Sequence, residues 1–152
     1  MGSCTSRLGN FERDALNAHN EYRRKHGAPF LSWSKRAQRS AQQWADHLAS
    51  EKRLEHGNHS GMGQNLSYMY GQEMTGTAVT DMWYDEVQNY DFSKGQFSPN
   101  SGHFTQVVWC NTTEMGIAKA TASDGSNYAV ANYVPPGNVV GQFTRNVLPA
   151  AN

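Results

Sequence analysis

The run Ser101-Gly102-His103-Phe104-Thr105-Gln106-Val107-Val108-Trp109-Cys110 places one histidine at the mouth of an apolar stretch. An imidazole there can move a proton near neutral pH or bind a metal. Read by alternation, His103–Cys110 predicts a half-buried strand. His103, Thr105, Val107 and Trp109 then share one face, and Phe104, Gln106, Val108 and Cys110 share the other. The second candidate is a carboxylate. At helical spacing, Glu86 falls in the middle of the stripe made by Val79, Met82, Trp83, Val87 and Tyr90. A carboxylate that faces a core needs hydrogen-bond donors, a cation, a proton or a polar cleft. Glu86 is therefore either a structural group satisfied by buried donors or part of a site. His56-Gly57-Asn58-His59 adds two imidazoles three apart, a spacing open to a metal, but without the H-E-x-x-H helix of a zincin. No serine nucleophile elbow is present. Cys110, on the strand face opposite His103, is badly placed for a Cys–His dyad.

The elements that must hold these groups follow from periodicity and punctuation. Phe11, Ala15, Ala18 and Tyr22 predict a first helix from about Phe11 to His26, closed by Gly27 and Pro29. Ser34 is a natural N-cap for a second helix running to about Leu54, with Ala37, Ala41, Trp44, Ala45 and Leu48 inward. Glu55–Gly63 reads as a polar loop, and Gln64–Tyr70 as a short helical or irregular piece. A third helix spans Thr77–Tyr90, and Asp91–Gly102 is a loop. Strands are expected at His103–Cys110, Met115–Ser123 and Tyr128–Val134, with a turn at Asp124-Gly125 longer than two residues. From Asn138 onward the chain is expected to run extended over the core. Helices first and antiparallel strands last predict an α+β fold rather than a parallel α/β one.

Bulk properties bound the function. A chain of 152 residues is one domain with room for a core. Lys+Arg and Asp+Glu number 13 each, so no net charge draws the chain to nucleic acid. No stretch approaches the roughly 20 apolar residues that span a bilayer. Cys4 and Cys110 are the two cysteines, which is no disulfide framework, and no apolar signal segment opens the chain. Both observations predict a reducing compartment, which makes the sequons at Asn58, Asn65 and Asn111 chance matches. The start Met1-Gly2-Ser3-Cys4-Thr5-Ser6 fits N-myristoylation at Gly2, with Cys4 placed for a neighbouring palmitoyl chain. Two acyl chains anchor stably where one binds reversibly. Residues 1–9 are read as a flexible, lipidated tail, and residues 10–152 as the domain.

Four stretches, in order along the chain, resemble the CAP superfamily of cysteine-rich secretory, antigen 5 and pathogenesis-related 1 proteins. His19-Asn20-Glu21-Tyr22-Arg23 resembles its H-N-x-x-R motif and Gly63-Gln64-Asn65-Leu66 its G-E/Q-N motif. Gly102–Asn111 and Asn132–Asn138 resemble its two signature segments. The resemblance is strongest to a cytosolic, Golgi-associated branch, through the myristoylation-type start, Trp83-Tyr84 with Glu86 and Asn89-Tyr90, and Ala122–Ser126. It implies a three-layer α-β-α sandwich with a central antiparallel sheet and a cleft lined by two histidines and two acids. Those positions fall on His56, His103, Glu86 and Gln64. Gln64 keeps an acceptor but loses the charge that would support divalent-metal binding. Zinc through His56 and His103 is the one cofactor it suggests, and none is required. Ala131 stands where secreted relatives often carry a cysteine.

The expected function is a non-enzymatic, peripheral lipid-binding module on the cytosolic face of Golgi membranes. The resemblance implies anionic lipids, a homodimer and further protein partners, with Arg23-Arg24-Lys25 and Lys35-Arg36-Arg39 as candidate lipid contacts. Two alternatives are a secreted sterol- or lipid-binding protein and a metal-assisted hydrolase using Glu86 and His103.

Overall fold

The computed structural model describes residues 8–57 and 61–151. Gly2, Cys4, Asn58 and His59, and with them the lipidation pattern and the His56/His59 pairing, lie outside the described residues.

The chain runs α1 (Asn10–Lys25), β1 (Ser32–Trp33), α2 (Lys35–Glu51), β2 (Gly63–Met69), α3 (Gly76–Tyr84), a 3-10 turn (Asp85–Asn89), α4 (Gly102–Val107), β3 (Glu114–Thr121), β4 (Asn127–Val134) and α5 (Phe143–Asn146). The strands form one sheet in the order β1-β3-β4-β2. The three longer strands pair antiparallel, and β1 adds a short parallel edge to β3. The sheet is thus antiparallel in its main ladders and mixed overall.

One face of the sheet packs on α1 and α3 around Phe11, Leu16, Val79, Trp83, Ile117 and Tyr133. The other packs on α2 through Ala41, Ala45, Leu48, Leu66 and Val130. These are the three layers of an α-β-α sandwich. The alanine stripe lets α2 lie close to the sheet. A Cβ at Gly116 would run into the backbone of Gln38, so only glycine fits on β3 there.

Local signals account for the helix starts. Ser34 Oγ accepts from the Ala37 N–H at 3.0 Å, and Thr75 Oγ1 accepts from the Ala78 N–H at 3.0 Å. At the other end of α2, Lys52 turns left-handed at φ 52° and closes the helix before the expected Leu54. The turn after β3 spans more than two residues, as expected. Asp124 Oδ1 accepts from the Ser126 N–H and hydroxyl, with Gly125 at φ 90°.

Four expectations need correction. His103–Cys110 is no strand: Gly102–Val107 is helix α4, followed by a turn. Residues Phe104 to Trp109 are all buried, so alternation there was never a record of one wet and one dry face. Their β-branched content favours extended chain, and tertiary contacts override it. Gln64–Tyr70 is not a helical or irregular piece, since Gly63–Met69 forms the edge strand β2. The third helix keeps its extent but ends as a 3-10 turn, and Met82 is 43% exposed rather than inward. Beyond Asn138 the chain is not simply extended, since α5 docks Phe143 and Val147 into the core.

Candidate functional site

Glu86 is the organising group of a cleft. It leaves the 3-10 turn and reaches the first turn of α4. Its Oε1 accepts from the backbone N–H of His103 at 2.9 Å and of Phe104 at 3.4 Å. Its Oε2 accepts from His103 Nδ1 at 2.7 Å. The carboxylate therefore caps α4 from a distant segment, which is why a helix forms where local propensity favours a strand. Its side chain is 23% exposed, so it is no core carboxylate but the back wall of a polar cleft.

The same contact fixes His103. Because Nδ1–H donates to Glu86, the Nε2 atom is left to face outward. The ring also stacks on Trp83, with centroids 6.3 Å apart and planes 14° apart. Trp83 is itself held by donating Nε1–H to the Leu66 carbonyl at 2.9 Å.

His56 is oriented in the same manner from the other side. Its Nδ1 donates to Gln64 Oε1 at 3.0 Å, an oxygen that also accepts from the Gly57 N–H at 3.0 Å. Gln64 Nε2 donates to Asn132 Oδ1 at 3.1 Å. Both ends of the Gln64 side chain are thus specified, and His56, held at Nδ1, too presents Nε2. The structure brings His56, Gln64, Glu86 and His103 together. His56, Gln64, Asn65, Phe97, Pro99, Gly102, His103 and Asn138 line a cleft of about 170 Å³, with Glu86 behind His103.

Four residues of the motif stretches, Asn138, Asn65, Tyr133 and His19, take roles that spacing alone did not assign. Asn138 sits at φ 57°, a conformation asparagine tolerates. It accepts from Thr105 Oγ1 at 2.6 Å and donates to the Gly102 carbonyl at 3.0 Å, tying the last signature segment to α4. Asn65 donates to the His103 carbonyl and to Tyr133 Oη, each at 3.2 Å. Tyr133 in turn lies 2.7 Å from His19 Nε2, and His19 Nδ1 donates to the Ala15 carbonyl at 2.8 Å. His19 is fully buried and pulled down to about 4, chiefly by loss of hydration. Burial likewise pushes the Tyr133 phenol up.

Arg23 belongs to the scaffold, not to a lipid-binding surface. Its buried guanidinium donates to the carbonyls of Pro29, Val107, Trp109 and Thr112 at 2.7–3.0 Å. Burial lowers it to about 10, and the partial negative charges of the four carbonyls it meets offset the lost hydration. Cys110 follows α4 and lines a separate groove with Asn111 and Arg145, its thiol pushed up by burial. Among the described residues no serine or cysteine hydrogen-bonds to His56 or His103. No group of three or more His, Cys, Asp or Glu in the described residues could hold a metal ion.

A profile of the cysteine-rich secretory protein (CAP) family matches residues 16–133. The chain belongs to this family. It is 47% identical to the human Golgi-associated plant pathogenesis-related protein 1, over 98% of both chains. It is 37% identical to tobacco pathogenesis-related protein 1B, over 92% of this CAP chain and 84% of the relative. Among solved structures, BmVAL-1 superposes with a TM-score of 0.76 at 22% identity, covering 98% of this chain and 86% of that one. NaASP2 with Zn2+ gives 0.72 at 18% identity, over 95% and 88%. At those identities the structural likeness is one of fold, and it is the CAP sandwich. No helix among the described residues is long and apolar enough to cross a membrane.

Proposed function

We propose that this CAP protein is a peripheral membrane module that binds anionic lipid without catalysing a reaction. The observation that carries the non-enzymatic half is the state of the cleft. Glu86 has three donors and serves as a helix cap, and the second acidic position is a neutral amide already engaged by His56, Gly57 and Asn132. A hydrolase needs a nucleophile or an activated water beside a free base, and among the described residues neither imidazole has a serine or cysteine partner.

The membrane half rests on the Gly2/Cys4 acylation pattern and on the likeness to a relative named as Golgi-associated. In this reading the module sits on the cytosolic face of Golgi membranes, as a monomer or homodimer, and offers its cleft to protein partners. The test is localisation in cells of the wild type beside Gly2→Ala and Cys4→Ser. The wild type should co-fractionate with Golgi membranes and Gly2→Ala should be released to the cytosol. Equal membrane partitioning of both would refute acylation as the anchor.

A second reading concerns zinc. His56 and His103 each have Nδ1 held by a fixed oxygen, the arrangement that aims Nε2 at a metal. Zinc would take these two nitrogens and leave its other positions open, and when bound it would act as a Lewis acid. The residues fit the ion only in part, because Gln64 supplies no charge. Calorimetric titration with zinc should give weak binding that disappears in His103→Ala. Binding unchanged in that variant would refute the site.

A further inference from the structure

Phe30 is 65% exposed, the most exposed aromatic among the described residues. It does not project from a loose loop. The Pro29 carbonyl before it accepts from Arg23 Nε at 2.7 Å. Leu31 after it is clamped by Asn20, which accepts from the Leu31 N–H at 2.7 Å and donates to the Leu31 carbonyl at 3.1 Å. Two residues of the H-N-x-x-R motif thus hold an apolar ring out into solvent.

Cations flank the Phe30 connection along the chain. Arg24 and Lys25 end α1 on one side of the 26–34 connection, and Lys35, Arg36 and Arg39 open α2 on the other, all exposed. Of the acids on these elements, Glu12 and Asp14 lie toward the start of α1 and Asp46 and Glu51 toward the end of α2, while Glu21 pairs with Arg24 and Glu114 stands opposite Ser32 in the β1–β3 ladder. Lys25 shares a shallow groove with Asp14, Glu21 and Asp81, so Lys35, Arg36 and Arg39 are the cations without an acid on their own turn. Among the described residues Lys25, Lys35, Arg36 and Arg39 form no ion pair.

We infer that the Phe30 loop, with Lys25, Lys35, Arg36 and Arg39, is the face that docks on an anionic phospholipid bilayer. This rests on the membrane reading above and adds the face and the orientation. A rigid phenyl flanked by cations suits a bilayer interface, where the ring enters the acyl boundary and the cations meet phosphates. It suits nucleic acid poorly, because a lone phenyl reads no base edge and the chain carries no net charge to steer a polyanion. Phe30 leads into β1, one edge of the sheet, whereas Gln64 of the cleft lies on β2, the opposite edge. Docking through β1 leaves the cleft open to the aqueous side.

The test is co-flotation of the full chain, as Gly2→Ala to remove acylation, with phosphatidylcholine vesicles containing or lacking phosphatidylserine. Lys35→Glu/Arg36→Glu/Arg39→Glu should weaken binding to the anionic vesicles about 100-fold, and Phe30→Ser about 10-fold. Arg13→Glu/Lys52→Glu/Lys94→Glu makes the same charge change elsewhere and should cost less than about 5-fold. All these side chains are outside the core, and thermal melts check that each variant folds; if the triple variant does not, Phe30→Ser decides. Equal losses in the two triple variants, or binding that ignores Phe30→Ser and the first triple variant alike, would overturn the face and leave the membrane reading standing. Tighter binding to single-stranded RNA than to vesicles would overturn it in favour of a polyanion site. Failure of both acylated and Gly2→Ala wild type to bind anionic vesicles would overturn the membrane reading itself.

Discussion

Lowering the pH from 7 to 4 should destabilise the fold by about 3 kcal/mol, and His19 should be the main cause. His19 is fully buried and neutral, donating Nδ1–H to Ala15 and receiving the Tyr133 hydroxyl at Nε2. A second proton on the ring would force Tyr133 Oη to accept from Nε2, although it already accepts from Asn65 Nδ2. The Tyr133 proton would then need a new acceptor inside the core, and the cation would be buried with Arg23 nearby. Folding therefore moves His19 from 6.5 down to about 4. Because the folded value is depressed, the unfolded chain binds more protons between those limits. Stability is full above about pH 6.5 and falls with pH at about 1.4 kcal/mol per unit, down to about pH 4. His26 adds to the same trend, since burial lowers it too, beneath Leu148 and Tyr84. Asp91 and Asp124, held low by their serine neighbours, contribute their loss only at the acid end of this window.

The assay is urea unfolding at half-unit pH steps, with the free-energy slope as the readout. His19→Gln replaces the ring by a group that can accept from Tyr133 and does not titrate. It should lower stability at pH 7 and remove about one proton from the slope between pH 4.5 and 6. Tyr133→Phe should cost stability but keep the slope. A wild-type profile that is flat in this range, or a slope unchanged in His19→Gln, would refute the assignment.

Other outcomes follow from the same contacts. Arg23→Met should cost about 3 kcal/mol or more in urea unfolding, because it strands four buried carbonyls. Arg23→Lys should recover only part, since one ammonium cannot reach all four. Glu86→Ala removes the α4 cap and should cost about 1–2 kcal/mol, and nitrogen NMR should show His103 losing its fixed Nδ1–H tautomer. Gln64→Glu should tighten zinc binding at least tenfold in calorimetry by giving His56 a charged partner. An unchanged affinity there would exclude His56 as a ligand.

Much of the scaffold was legible because its signals are local. The α1 and α2 stripes, the Ser34 cap and the Asp124-Gly125 turn each depend on residues within four positions. The failures share the opposite property. Gly102–Val107 is helical because Glu86, sixteen or more residues upstream, caps it, and no window across His103–Cys110 contains that carboxylate. Gly63–Met69 is a strand because β4 pairs with it across 58 to 70 residues of sequence. The anomaly at Glu86 was readable, since a carboxylate on an apolar stripe must find donors. Its outcome joined both alternatives, for the same oxygens satisfy a helix end and orient an imidazole. The roles of Asn65 and Asn138 were unreadable from type and spacing, because an asparagine acquires meaning only from what surrounds it.

The motif residues divide by what they touch. His19, Asn20 and Arg23 meet no solvent-filled cleft: they bond to backbone carbonyls, a buried phenol and the Phe30 loop. Gln64, Asn65, His103 and Asn138 line the cleft. The link between the groups is the chain His103 carbonyl, Asn65, Tyr133, His19, which joins α4 to α1 through three buried side chains. Such a network is stiff only while every member is satisfied. Neutral His19 meets that condition and charged His19 does not. Acid that charges His19 should therefore loosen the cleft before it unfolds the sandwich, and the Asn65 contact is where that would begin. Amide exchange followed from pH 6 to 4, the range in which folded His19 gains its proton, tests this order. Protection of the α4 amides should fall earlier than that of Ile117 and Val130 in the inner strands. Simultaneous loss at all of them would mean that His19 reports only on global stability and that the cleft is not coupled to it.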